Sequence, residues 1–237
     1  MCGRYASSVD LATLVREFEA ESLVSQPLTV DYNVAPTKEA YLVHQGEHGA
    51  EIEVARWGLV PSWAKDRTIG QRLINARSET VAEKPSFRAA FARRRCLVPA
   101  DGYYEWYRPT IRAKGAAKQP FFIRPQQRDE PWAMAGIYEF WRDPTDDSSY
   151  ESFAIITRPA SDNLTHIHDR MPVTLSKAQF DVWLESSTSP EELMSLMANE
   201  PRVAMEAYPI STKVNSVRNN GPDLIAPIPP AGDLLFT

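Results

Sequence analysis

RCLVPADGYYEWY, residues 95–107, sets the architecture, because two short runs rich in β-branched and aromatic residues flank a Pro-Ala-Asp-Gly break. The pattern predicts two strands joined by a tight turn rather than one helix. Working outward, AYLVH (40–44), EIEVARWGLV (51–60), QPFFIRP (119–125), PWAMAGIYEFW (131–141) and ESFAIITRP (151–159) have the same character and the same Gly, Pro or Asp punctuation. They predict further strands, with a last one near VAMEAYPIS (203–211). Helical spacing of Leu11, Leu14, Val15 and Phe18 predicts a helix over LATLVREFEAESL (11–23), capped by Ser8 or Asp10. Shorter helices are expected at FRAAFARRR (87–95), SKAQFDVWLES (176–186) and SPEELMSLMAN (189–199). Strands and helices do not alternate regularly. The reading is therefore α+β, with a largely antiparallel, barrel-like β-sheet flanked by helices.

The 237 residues suit one domain spanning 1–237, since nineteen prolines sit mostly in strand-bounding turns and no linker or repeat interrupts the chain. RDPTDDSSY (142–150) reads as an exposed hairpin tip, and PIPPAGDLLFT, from about residue 227, as a loosely held tail. No apolar run approaches the roughly 20 residues that cross a bilayer, and no secretory signal precedes Cys2. A membrane is excluded as partner and a cytoplasmic location is expected. Cys2 and Cys96 lack the paired spacing of zinc ligands, so neither a structural metal nor a disulfide is expected.

A formal net charge of −5 argues against binding nucleic acid by bulk charge, yet residues 65–95 carry nine basic residues against three acidic ones. Such a segment is either a solvated helical face or an electrostatic footprint.

The chemistry concentrates at the N-terminus. Methionine is commonly trimmed before a small residue, which would leave Cys2 with a free α-amine beside its thiol. The two have reference pKa values of about 7.7 to 8.0 and about 8.5, so both nucleophiles are available near neutrality. A 1,2-aminothiol has an aldehyde as its preferred partner: the amine forms an imine, and the thiol then closes a thiazolidine intramolecularly. Dehydration needs a proton-transfer group nearby. Glu105, between Tyr104 and Trp106, is the first candidate because aromatic packing would desolvate it, although an outward-facing strand carboxylate fits the same pattern. His168 in THIHDRMP suits a proton shuttle on a loop, and His166 lies two residues before it. Asn75 in LINARSET could orient an amine, or satisfy a turn.

The blocks MCGRY, YNVAPT, RWGLVPSWAKD, LINARSET, FR, RRRCLVPADGYYEWY, KQPFFI, IHDRMPVTL and VNSVRNNGPDLI occur in that order along nearly the whole chain. In these the sequence resembles the SOS response-associated peptidase (SRAP) family. The resemblance implies an α+β fold with a barrel-like sheet and a basic groove. It also implies a protein of the DNA damage response that recognises abasic sites in single-stranded DNA and captures the sugar aldehyde through Cys2 as a thiazolidine, protecting the lesion by a covalent protein–DNA linkage. Carried over by motif, Cys2, Asn75, Glu105 and His168 form the catalytic set. Arg4, Arg77 and Arg170 become phosphate contacts, while Asn33 and Pro36 of YNVAPT and Trp63 of PSW line the path of the strand. The family name adds a thiol protease, hydrolase or autopeptidase activity that would expose Cys2, although cellular methionine trimming serves equally. A lyase activity would follow from the transient imine. No cofactor is implied, a monomer suffices, and a bacterial protein would associate with the nucleoid. Two rival readings remain at this level. An N-terminal-cysteine glutamine amidotransferase also begins MCG, but no Ser-Asp-Thr-Glu type of glutamine-pocket segment is found here. A non-covalent single-stranded or modified-DNA binding module would leave Cys2 incidental.

Overall fold

A computed structural model describes residues 2–107, 118–127, 129–146, 148–199 and 203–229. Its strands are β1 (Tyr5–Ser7), β2 (Glu21–Ser22), β3 (Asp31–Val34), β4 (Glu39–Gln45), β5 (Ala50–Trp57), β6 (Asn75–Arg77), β7 (Arg95–Pro99), β8 (Gly102–Tyr107), β9 (Gln119–Pro125), β10 (Trp132–Arg142), β11 (Ser149–Pro159), β12 (Arg170–Pro172), β13 (Thr174–Ser176) and β14 (Met205–Pro209). Four α-helices accompany them: α1 (Leu11–Phe18), α2 (Arg88–Arg93), α3 (Phe180–Leu184) and α4 (Pro190–Ala198). The expected α+β class and its flanking helices are present.

Strands β11, β10, β7, β4 and β5 pair in that order, and β5 returns to β11 in parallel through Ser152 opposite Arg56 and Phe153 opposite Trp57. This closes a five-stranded barrel, most of whose pairings are antiparallel. Parallel pairs at β5–β11, β6–β11 and β2–β5 make the whole a mixed sheet. Alternation along each strand assigns the faces. Leu42, Ala55, Trp57, Cys96, Val98, Met134, Phe153 and Ile155 point into one buried cluster inside the barrel. Their neighbours Val43, Ile52, Leu97, Ala135, Ala154 and Ile156 point outward, into a second cluster covered by Leu14 and Phe18 of α1, Phe91 of α2, Trp183 of α3 and Met197 of α4.

A second sheet, ordered β14-β9-β8-β1-β3, places Tyr5, Tyr103, Phe121 and Ile123 in the barrel's interior cluster and Ala6, Tyr104 and Phe122 in a separate one. RCLVPADGYYEWY is therefore two strands in two different sheets. Its turn is pinned: Asp101 donates its N–H to the Ala6 carbonyl at 2.8 Å, and its carboxylate accepts from the Ser8 N–H at 2.6 Å. A Cβ on Gly102 would lie 2.5 Å from the Ile123 carbonyl oxygen, so only glycine lets β8 start this close to β9.

Helix α1 is shorter than expected. Asp10 caps it through the Thr13 N–H, and Glu19 ends it in the left-handed region at φ 52°, so Glu21–Ser22 leaves as a strand. The expected hairpin at 142–150 joins β10 to β11, with Arg142 opposite Ser149. At the C-terminal segment, the Ile228 N–H donates to the Pro209 carbonyl at 3.0 Å, and residues 230–237 lie outside the described residues. No described helix is long and apolar enough to cross a membrane.

Candidate functional site

The barrel's interior cluster ends at Cys2, which is fully buried beside Tyr5, Tyr103, Trp57, Ile155, Leu164 and Ile167. Strand β6 brings Asn75 there, because Asn75 pairs with Ile155 of β11. Its side-chain amide donates to the Cys2 carbonyl at 2.6 Å, while its own Oδ1 is buried and has no hydrogen-bond partner among the described residues. Strand β8 runs beside β1, so Glu105 falls two residues beyond Tyr103 on the same face. Glu105 is 4% exposed. Burial pushes its carboxyl above the usual carboxylate range, and the charge of Asp169 adds to the shift. Burial raises the Cys2 thiol far more, with the nearby Glu105 charge as the next cause. With Met1 attached, the Cys2 nitrogen is an amide rather than an amine.

The fourth expected residue sits on the loop between β11 and β12. Its base is closed by the Ala160 N–H donating to the Asp169 carbonyl at 3.0 Å, and Leu164 and Ile167 anchor it in the cluster around Cys2. His168 Nδ1 accepts from the Arg170 N–H at 3.0 Å and lies 2.9 Å from the Asp169 carboxylate. Nδ1 thus faces one donor and one acceptor: unprotonated, it accepts from the Arg170 N–H, and protonated, it donates to the Asp169 carboxylate. Cys2, Asn75 and Glu105 are thus brought together, and the Asp169 carboxylate that acts on Glu105 places the His168 loop at the same edge. Among the described residues, no three His, Cys, Asp or Glu side chains converge as metal ligands.

The expected DNA contacts divide into two kinds. Arg77 and Trp63 are exposed, the latter 58% so, with the Trp63 indole donating to the Pro85 carbonyl at 3.3 Å. Pro36 is half-buried in a turn where Thr37, although β-branched, adopts φ 75°. That strained conformation is held by the Thr37 N–H donating to the Trp57 carbonyl at 2.8 Å. Arg4, Asn33 and Arg170 are already engaged. Arg4 donates to Asn33 Oδ1 at 2.6 Å and to the Val214 carbonyl at 3.0 Å, with its guanidinium 5.9 Å from the Trp106 ring centre. Asn33 is fully buried, and its amide donates to the Ser216 and Asn219 carbonyls, each at 2.9 Å. Its observed work is to fasten the 214–219 loop. Arg170 forms a two-pronged pair with Glu79, the second contact at 2.9 Å, and donates to the Thr157 carbonyl at 2.6 Å. This pair holds the Glu79 carboxyl down at about 2.

The basic segment also divides. Seven of its nine basic residues are exposed, but Arg94 pairs with Glu139 at 2.7 Å, and the buried Arg95 donates to carbonyls of Phe91, Trp183 and Glu185. The last two cations stabilise helix ends and the core. Sequence reasoning gave no role to Trp57, whose indole donates to the Ile74 carbonyl at 2.8 Å and whose ring packs edge-on against Tyr5 at 5.2 Å. It thereby ties the residue before Asn75 to β1. Its position inside the block RWGLVPSWAKD was the only hint. Glu79, two residues after Arg77, was a similar hint of a partner within the basic segment.

A barrel capped by a second sheet, with an N-terminal cysteine beside a buried carboxyl, a carboxamide and a histidine loop, defines a class. The sequence model of the SOS response associated peptidase (SRAP) family matches residues 1–217, and the chain belongs to that family. It is 37% identical over 227 residues to the abasic site processing protein YoqW of Bacillus subtilis, covering 95% of this chain and 99% of that one. It is 32% identical to YedK of Escherichia coli, covering 96% and 100% of the two chains, and 32% identical to HMCES of Gallus gallus, covering 96% and 78%. Both of those relatives also bear the name abasic site processing protein. A crystal structure of a protein from Bacteroides thetaiotaomicron superposes with a TM-score of 0.84 at 28% identity, covering 96% of this chain and all of that one.

Proposed function

We propose that this chain processes abasic sites in single-stranded DNA by forming a covalent thiazolidine between Cys2 and the ring-opened sugar. The observation that carries the reading is the convergence on Cys2 of two complementary groups. One is the buried Glu105 carboxyl, and the other is Asn75, which grips the Cys2 carbonyl and leaves Oδ1 as a free acceptor. Removal of Met1 turns the Cys2 amide into an amine, whose N–H donors suit that acceptor.

The amine adds to the sugar aldehyde, and the carbinolamine loses water with a proton from Glu105 to give an imine. The Cys2 sulfur then attacks the same carbon, a C–S bond forms, and the thiol proton ends on the ring nitrogen. Only one water leaves. A carboxyl whose hold on its proton is strengthened by burial suits the acid step. The proposed part of His168 is proton transfer during sugar ring opening. Arg77 and Trp63 would meet phosphate and base from the exposed side, since guanidinium binds phosphate and an aromatic face stacks on any base. Arg4 and Arg170 would bind phosphate only by sharing or exchanging their present partners, and Asn33 would act through the loop it fastens. Met1 loss may be tested as self-processing: a Glu105→Ala protein that keeps Met1 supports an autopeptidase, and normal trimming opposes it. A lyase side reaction through the imine belongs to the same proposal, as does action as a monomer.

The test incubates purified protein, verified by mass to lack Met1, with a single-stranded oligonucleotide carrying one abasic site, followed by a denaturing gel. An adduct that survives denaturation and disappears in Cys2→Ala and on intact DNA is expected. No adduct from the trimmed protein contradicts the proposal.

A further inference from the structure

Two phenolic hydroxyls in the cluster that holds Cys2 have nothing to bond to among the described residues. Tyr5 on β1 and Tyr103 on β8 are directly opposed in register, both are fully buried, and both join the cluster that contains Cys2. Neither hydroxyl has a hydrogen-bond partner among the described residues. Buried tyrosine hydroxyls normally find one, so an orphaned pair at one spot calls for a cause. Tyr104, the outward-facing neighbour, shows the ordinary case: its hydroxyl donates to the Tyr32 carbonyl at 2.6 Å.

We infer that the Tyr103 hydroxyl, with Tyr5 behind it, is held in reserve as a hydrogen-bond donor to the Cys2 sulfur as it gives up its proton. Tyr103 is two residues from Glu105 on one strand face, so a single element carries the carboxyl and this hydroxyl to the same cysteine. Both hydroxyls feel the charge of Cys2, after the larger effect of burial, and Tyr103 also feels Glu105. The need is electrostatic. The thiol is completely buried and its one described hydrogen bond is a long contact, 3.9 Å, to the Arg4 carbonyl, an acceptor that can do nothing for an anion. A thiolate formed in a dry site beside a carboxylate requires donors; the Arg4 backbone and the N-terminus offset burial only in part, and the two phenols are uncommitted side-chain donors in the same cluster among the described residues. The titratable groups that act on this spot are Glu105 and Tyr103 from β8, Tyr5 from β1 and the N-terminus, with Asp169 and His168 on the loop after β11. Tyr103 and Tyr5 are positioning residues for the nucleophile. This inference rests on the reading of Cys2 as nucleophile.

The test measures alkylation of Cys2 by iodoacetamide across pH in the Met1-trimmed full chain, read by peptide mass, for wild type, Tyr103→Phe and Tyr5→Phe. The ring is kept, so packing is kept. For Tyr103→Phe the profile should move to higher pH, with alkylation at pH 7 about tenfold slower, as expected for loss of one hydrogen bond to a charged group. Tyr5→Phe should move it less. Melting temperature should hold or rise in both, because an unsatisfied polar group leaves the core. A fluorinated tyrosine at position 103, a stronger donor, should move the profile back below that of wild type. An unchanged profile in Tyr103→Phe overturns the inference whether or not the protein reacts with DNA. A shifted profile in a protein that forms no adduct with abasic DNA upholds the tyrosine and overturns the DNA-capture reading alone.

Discussion

The same barrel buries two cysteines among acids, a histidine and tyrosine, and the proposed chemistry falls on only one of them. Around Cys2 stand Glu105, Asn75 and the His168 loop. Around Cys96 stand His44, Tyr138, Glu53 and Glu151: His44 is opposite Cys96 in register, its Nε2 lies 3.3 Å from the Glu53 carboxylate, and its ring packs on Tyr138 at 5.1 Å. Glu53 and Glu151 lie four positions back along β5 and β11 from Trp57 and Ile155 on the Cys2 side, roughly 13 Å of strand. The inner groups interact by charge, yet His44 Nε2, Glu53 Oε2 and Glu151 Oε1 make no hydrogen bond among the described residues. Cys96 is also hemmed in by backbone, since a Cβ on Gly136 would come within 2.8 Å of its sulfur. Composition alone does not make a reactive site. What distinguishes Cys2 in the proposed reading is its position directly behind Met1, whose removal would supply an amine, and an Asn75 Oδ1 without a partner among the described residues to receive it.

The largest expected contrast comes from changing each cysteine to alanine. Cys2→Ala should abolish the DNA adduct on a denaturing gel. Cys96→Ala should leave the adduct and cost about 1 to 2 kcal/mol in urea unfolding through the cavity it creates. Loss of adduct in a folded Cys96→Ala would break the distinction.

Glu105→Gln comes next. Removing a positioned general acid should slow adduct formation about a hundredfold at neutral pH in a quenched time course. Because burial raises the Glu105 carboxyl, wild-type activity should fall as pH climbs through its raised value, and the glutamine variant should lose that limb. An undiminished rate would remove Glu105 from the chemistry.

The inner acids should register in stability instead. Burial, then Glu53, pushes Glu151 up to about 9, so the folded state keeps a proton that the unfolded chain releases near 4.3. Between those values the unfolded state binds fewer protons, and stability falls as pH rises. Glu151→Gln, which keeps a donor for Glu53, should raise the melting temperature at pH 8 more than at pH 5 and leave the adduct yield unchanged. Equal gains at both pH values would contradict the shared-proton reading.

The smallest effect belongs to the exposed face. Arg77→Ala should weaken single-stranded DNA binding evenly across sequences and lower the salt slope by about 0.7, the share of one phosphate contact. An unchanged slope would move the strand's path away from β6.

Much of this was legible because the signals were local. Turn chemistry in PADG, the β-branched and aromatic run in ESFAIITRP and the cap at Asp10 are read within a few residues, and the aminothiol follows from Cys2 behind Met1. What escaped the sequence was long-range. Barrel closure depends on a parallel pairing of Arg56 with Ser152 that no local pattern encodes. The burial of Asn33 depends on carbonyls at 214–219, and the neutralisation of Arg170 on Glu79, 91 residues away. For that reason the motif arginines looked equivalent, and only Arg77 among them is uncommitted at the surface among the described contacts. That Tyr5 and Tyr103 carry orphaned donors was not legible, since an unmet bond is a property of the packed state.

The central claim, that both nucleophiles of Cys2 join one carbon of the abasic sugar, is tested most directly by counting free thiols in the adduct. The Met1-trimmed protein, crosslinked to an abasic oligonucleotide, would be denatured, treated with iodoacetamide and weighed intact. A thiazolidine leaves only Cys96 free, so the account predicts protein plus oligonucleotide less one water, carrying one alkyl group. Two alkyl groups on that adduct would mean an imine with an idle thiol and would contradict it.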